Sequence, residues 1–300
     1  MNANKGLTRV DAIIAVACVA LVLAQATVLN AGGRERSKKE VCLASLRSLA
    51  AAWQTYSSDN SGKVPVGDVG YSWIFPGAIG SSTGPQPAWC EWLHEPINHP
   101  LPPTTNTNWG SGPGSGPALS YVAALTAKDA TRQHAISEGT MWKYVGDYDI
   151  YRCPSAGKGQ YVTYYMSGSM NTYPGIGGTG AVTITNINQI TKPAERFVFI
   201  DNGSAKSGPF FVVYSGSGYS APGRWYDLPP VIHSQGTTFS FADGHAIYRK
   251  WTDPHTLQAV SGSWGGGTID YCDCDLRWMV KVTWGSVPFT CTDTNKNCEY

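Results

Sequence analysis

The chain has 300 residues, of which 42% are hydrophobic and 14% charged, and its formal net charge is +1. That length can bury a sizeable core in one large domain or two small ones, and near-neutrality without a basic stripe excludes the electrostatic footprint of a nucleic-acid binder. The 34 Gly, 11 Trp and 16 Tyr point to a loop-rich, β-leaning exported chain, and the eight cysteines fit an oxidising compartment.

The first element is an apolar run. Residues 12 to 29, AIIAVACVALVLAQATVL, carry no charge; eighteen helical residues rise about 27 Å, just under a hydrocarbon core of ~30 Å. Lys5 and Arg9 precede the run and AQA at 24–26 is a small-x-small site, so one reading is a cleaved secretory signal. The other reading starts from Asp11, a carboxylate at the mouth of the run, where hydrocarbon penalises charge by roughly 2.5–3.5 kcal/mol. Downstream, Cys42, Leu46, Leu49, Trp53 and Tyr56 recur at steps of four and three with Arg47 off the stripe, which predicts an amphipathic helix. NAGG at 30–33 separates the two stretches, and Gly32–Gly33 predicts a local loosening. A hydrophobic half followed by an amphipathic half suits one long helix, anchored in a membrane and docked on a globular head.

Residues 67–118, with GSGPGSGP at 110–117, and residues 203–230 are rich in Gly, Pro and Ser and read as long surface excursions. Trp73, Trp89, Trp92, Trp109, Trp225 and Tyr226 lie in them. Such aromatics either anchor loops onto the head or form a stacking surface. The second option makes the chain a secreted or membrane-anchored adhesive, glycan-binding surface protein, the alternative function.

The stretch TTFSFADGHAIYRKW alternates Phe239 and Phe241 against Thr238 and Ser240, then Ile247 and Trp251 against Tyr248 and Lys250. Asp243–Gly244 between them predicts a hairpin whose two central residues both take φ > 0. His233 and Asp243 are the tempting hydrolytic or metal pair. With no nucleophile motif beside them, the expectation is structural: Asp243 and Gly244 build the turn and His233 bonds nearby backbone. Catalytic residues are therefore not assigned, and the chain does not read as an enzyme.

After GSWGGGT at 262–268 comes a cysteine-rich tail holding DYCDCD and CTDTNKNC. Cys272 and Cys274 are too close in sequence to bridge comfortably, so two disulfides crossing to Cys291 and Cys298 are expected. C-x-C with C-x6-C is not a usual structural zinc spacing, and no metal site is assigned. Asp293, Asn295 and Asn297 with Asp270, Asp273 and Asp275 leave calcium as the cation the oxygen-rich spacing allows. Otherwise no cofactor is expected.

The start of the chain, G-L-T-R-V-D at 6–11, resembles the prepilin processing motif of type IV pilins and type II secretion pseudopilins. CLASLRSLAAAWQTYSSDNSGKVP (42–65), ISEGTMWKYVGDYDIYRCPS (136–155), RFVFIDNG (196–203) and HSQGTTFSFADGH (233–245) are similar to successive blocks of the large planctomycete-type members, the last containing their His-x9-Asp-Gly motif. The resemblance implies cleavage between Gly6 and Leu7 by a prepilin peptidase, N-methylation of Leu7, and pairing of Asp11 with the terminal ammonium of a neighbouring subunit. Leu7, Arg9 and Asp11 depart from the usual phenylalanine, apolar residue and glutamate at those places. The implied fold is α+β and pilin-like: a long N-terminal helix packed on an antiparallel sheet, with long loop insertions. The implied organisation is a leader at 1–6, a transmembrane and filament-core helix at 7–30, a head at 31–260 and the tail at 261–300. The implied function is a structural subunit of a type II secretion or type IV pilus-like filament. It would be a single-pass protein of the bacterial cytoplasmic membrane, head in the periplasm or in a surface filament, with other pseudopilin subunits as partners.

Overall fold

The structure, a computed structural model, describes residues 9–67, 136–137, 139–157, 160–172, 177–203, 209–210, 212–216, 224–260, 271–293 and 298, with backbone alone for 9–31. Gly6, Leu7 and the Asp11 side chain, most of the 67–118 excursion with Trp73, Trp89, Trp92 and Trp109, and Asp270, Asn295 and Asn297 lie outside this description.

One helix, α1, runs Arg9–Asp59. Its 51 residues rise roughly 76 Å. It continues unbroken through Gly32 and Gly33, where the sequence predicts loosening. Each glycine costs only about 1 kcal/mol of helix propensity, and the long helical runs on either side offset it. Ser37 Oγ donates to Gly33 O at 2.9 Å across this turn. Among the described residues no helix is long and apolar enough to cross a membrane; the run at 12–29 falls where side chains are not described.

From 32 to 41 α1 is largely exposed. The apolar stripe then takes over: Cys42, Leu46, Leu49 and Trp53 are fully buried, while Tyr56 is half-buried and Arg47 exposed. A short helix, α2 (Trp142–Val145), and a 3-10 turn at Tyr148–Tyr151 pack beside it.

The stripe lies on a four-stranded sheet of β1 (Tyr164–Met166), β2 (Phe197–Asp201), β3 (Gly236–Phe241) and β4 (Ala246–Lys250). The order is sequential and every pair antiparallel, so the architecture is α+β. On β3, Thr238 and Ser240 alternate with Phe239 and Phe241, whose rings enter the core on the other face; the small residues leave room for α1. A bulge between Phe197 and Phe199 shifts the register of β2. Phe197 therefore joins the far core, while Val198 and Phe199 join the α1 core. Asp201, two residues on from Phe199, falls on the α1 side.

The β3–β4 turn differs from the two-residue hairpin expected at Asp243–Gly244. Gly244 N–H donates to Phe241 O and Phe241 N–H to His245 O, which makes a three-residue loop, Ala242 to Gly244. Only Gly244 takes positive φ, at 95°. Asp243 instead accepts from His245 N–H at 3.1 Å, so one left-handed residue suffices.

The far face of the sheet carries a second core. The helices α3 (Pro254–Ala259) and α4 (Cys274–Trp284) close it. From α4, Leu276, Trp278, Met279, Val280, Val282 and Trp284 are buried with Phe197, Phe239 and Trp251. The segment read as a cysteine-rich tail is thus the cover of the second core. The excursion read at 203–230 also dips inward: Phe210, Val212 and Trp225 are buried there. Trp225 packs edge-to-face on Trp251, ring centroids 5.5 Å apart, and is an anchor rather than part of an exposed stacking row. Cys272 is bonded to Cys291 and Cys274 to Cys298, so both bridges run between the two tail clusters.

Candidate functional site

Where α1 enters the head, four segments far apart in sequence each place one heteroatom donor into the same buried space. Cys42 comes from the first buried turn of the α1 stripe. Cys153 follows the 3-10 turn and is fixed by its backbone N–H, which donates to Thr163 Oγ1 at 2.7 Å. Asp201 ends β2, on the face set by the bulge. His233 precedes β3, its backbone N–H donating to Gly236 O and its carbonyl accepting from Tyr248 Oη at 2.8 Å. All four side chains are at most 1% exposed.

Cys42 Sγ lies 2.8 Å from Cys153 Sγ, 3.2 Å from His233 Nε2 and 3.6 Å from Asp201 Oδ2. His233 Nε2 is 3.5 Å from Cys153 Sγ and 3.6 Å from Asp201 Oδ2. The far ring nitrogen, Nδ1, donates to Glu35 Oε1 at 2.9 Å. Glu35 is two turns before Cys42 on α1 and partly exposed. A carboxylate only accepts, so this bond holds the proton on Nδ1 and turns Nε2 toward the sulfurs.

The electrostatics are those of a closed, polar pocket. Burial alone would lower the His233 imidazolium, but the surrounding acceptors Asp201, Cys153 and Glu35 outweigh it and raise it to about 10. The Cys153 thiol is pushed far above its ordinary range, first by its bond with Cys42 and then by burial. Two donors point the other way. Ser155 N–H aims at Cys153 Sγ at 3.3 Å. Tyr164, fully buried, sets its hydroxyl beside Cys42 and Asp201, with the Cys42 sulfur in hydrogen-bonding reach.

These four residues are the described ones that could hold a metal ion together, their donor atoms all within 4.8 Å of one another. The sequence reading singled out His233 alone, and for a backbone bond; its side chain instead completes this cluster. Asp243 is not a partner of His233, being bound to His245 in the β3–β4 turn. The sequence places Cys42 on the apolar stripe, and Cys153 and Asp201 within longer blocks. The available signal was that each of the four blocks 42–65, 136–155, 196–203 and 233–245 contributes one heteroatom ligand.

In the tail, Asp273 and Asp275 serve protein donors. Asp273 caps α4 through Leu276 N–H at 2.9 Å and accepts from Thr256 Oγ1. Asp275 accepts from Thr252 N–H, Asp253 N–H and Arg249.

No family model matches the chain, and neither a curated protein nor a solved structure matches it.

Proposed function

We propose that the chain is a membrane-anchored, pilin-like subunit of a type II secretion or type IV pilus-like filament, with an assembly role and no catalytic one. The observation that supports this best is the single helix Arg9–Asp59, which holds the apolar run at 12–29 and the buried stripe from Cys42 in one rod. A signal peptide would be removed and would need no continuity with the domain that follows. In this reading the apolar half of α1 sits in the cytoplasmic membrane and then in the filament core. The exposed stretch 32–41 spans the interface, and the disulfide-bonded head faces the periplasm. Asp11 is tolerated in hydrocarbon because a neighbouring subunit's terminal ammonium pairs with it.

Terminal mass spectrometry of protein extracted from membranes tests the reading. It expects a mature chain beginning at N-methylated Leu7, released by a prepilin peptidase. A mature terminus at Thr27, after AQA, would refute the filament subunit. In a second arm, Asp11→Ala leaves membrane insertion intact, since the segment becomes more apolar, and lowers incorporation into the assembly.

A further inference from the structure

We propose that Cys42, Cys153, Asp201 and His233 form a structural zinc site that fastens the long helix to the sheet, with Glu35 as the positioning residue for His233. The inference concerns the head alone and stands whether or not the chain enters a filament.

The donor set comes first. Two thiolates, one imidazole and one carboxylate suit a borderline-soft dication, and four protein ligands with no open position describe a structural rather than a catalytic zinc. Geometry agrees with that chemistry. Zinc bonds of about 2.3 Å to sulfur and about 2.0–2.2 Å to nitrogen and oxygen place tetrahedral ligand atoms roughly 3.3–3.8 Å apart. Four of the measured separations are 3.2, 3.5, 3.6 and 3.6 Å. The sulfur–sulfur separation, 2.8 Å, is the one that must open, by about 1 Å for a tetrahedral pair of thiolates. At 2.8 Å the sulfurs are too far apart for a disulfide bond, about 2.04 Å, and closer than two unlinked sulfurs rest.

The surroundings fit as well. Metal-bound histidine usually donates its other N–H to a carboxylate, which fixes the tautomer and aims the lone pair at the ion. Glu35 does this for Nδ1 at 2.9 Å. The Ser155 N–H at 3.3 Å from Cys153 Sγ stabilises a thiolate. The Tyr164 hydroxyl, beside Cys42 and Asp201, supplies a donor for the negative charge that two thiolates and a carboxylate bring to one dication. A disulfide would use the two sulfurs and leave Asp201, fully buried, dependent on His233 alone for counter-charge. Zinc engages all four ligands. On binding, each thiol loses its proton to solvent and so does His233 Nε2, which leaves His233 as the neutral imidazole with its remaining proton on Nδ1.

The test is metal analysis of the full-length protein, purified in detergent without chelator. We expect one zinc per chain by elemental mass spectrometry, and after exchange with cobalt the visible d–d bands of a tetrahedral thiolate site. Cys42→Ser and Cys153→Ser should each abolish stoichiometric zinc. Because a core variant can fail to fold, Glu35→Gln is the second arm: its side chain is partly exposed, and the circular dichroism of the head should not change. Zinc affinity, read by competition with a chromophoric chelator, should fall by about 10–100-fold. Peptide mapping that finds Cys42 joined to Cys153 without zinc would overturn the proposal, as would two free thiols without zinc, stoichiometric iron in place of zinc, or unchanged affinity in Glu35→Gln.

Discussion

Asp273 is an acid whose burial makes the head more stable as pH falls. It is 2% exposed at the start of α4, and Asp253 and Asp275 stand near it. Desolvation, aided by those two carboxylates, raises its pKa from 3.8 to about 6, against the lowering effect of the Leu276 and Thr256 hydrogen bonds. The folded state therefore holds more protons than the unfolded state between pH 3.8 and about 6. Stability falls as pH rises through that window. The contribution is complete below the unfolded value and gone above the folded one. At about 1.36 kcal/mol per pH unit, the full shift contributes ~3 kcal/mol, of which about 2 kcal/mol appears between pH 7 and 4.5.

The perturbation that isolates this effect is Asp273→Asn, since asparagine caps a helix about as well as aspartate and does not titrate. Other carboxylates are protonated over the same acid range. The quantity to measure is thus the difference between the two proteins in urea unfolding, followed by tryptophan fluorescence, at a series of pH values. The original protein should gain about 2 kcal/mol on Asp273→Asn between pH 7 and 4.5. Parallel profiles, or a difference of opposite sign, would refute the account of a desolvated, reluctantly ionised Asp273.

Leu49→Ala removes a fully buried side chain from the α1 stripe and should cost about 3–5 kcal/mol in denaturant unfolding, whereas Arg47→Ala, exposed on the same turn, should stay within about 0.5 kcal/mol. Reduction of Cys272–Cys291 and Cys274–Cys298, whose partners lie 19 and 24 residues apart, should cost on the order of 3 kcal/mol per bridge and open the segment after Gly285 to protease while α4 stays protected, because α4 is held by its own buried face; loss of α4 protection at the same rate would show that the bridges hold the helix.

Local periodicity was the legible part of this fold. The four-and-three spacing from Cys42 to Trp53 fixes which side of α1 is buried, because each apolar side chain there has only one neighbour surface to meet. The alternation around Asp243–Gly244 marks the β3–β4 pair for the same reason. The error at the turn was one of count: Asp-Gly serves a three-residue loop as readily as a two-residue one, and only the glycine must be left-handed. In the tail, Leu276, Met279, Val280 and Thr283 carry helical spacing between an Asp273 cap and Gly285, but the cysteines invited a reading of loops and bridges. Trp225 sat among glycines and prolines, where composition suggests surface, although its ring had the Trp251 edge to pack on.

The Cys42, Cys153, Asp201 and His233 cluster was illegible for a different reason. Cys42 is 111, 159 and 191 residues from its three partners, and no periodicity reaches that far. Each residue also had a sufficient local explanation: a small apolar side chain on the stripe, a turn residue before proline, a strand end, a backbone-bonded histidine. What joins them is the bulge in β2, which turns Asp201 toward α1, and the docking of α1, which brings in Cys42 and Glu35. Their position has a mechanical consequence. Cys42 is the first buried residue of the stripe, directly after the exposed stretch 32–41, so a pull on the N-terminal half of α1 reaches the head at this turn before it reaches Leu46 or Leu49. Apolar contacts peel apart one side chain at a time. A set of ligands drawn from α1, the segment after the 3-10 turn, β2 and the approach to β3 shares that load among four segments at once, at the one point where the helix would otherwise begin to lift.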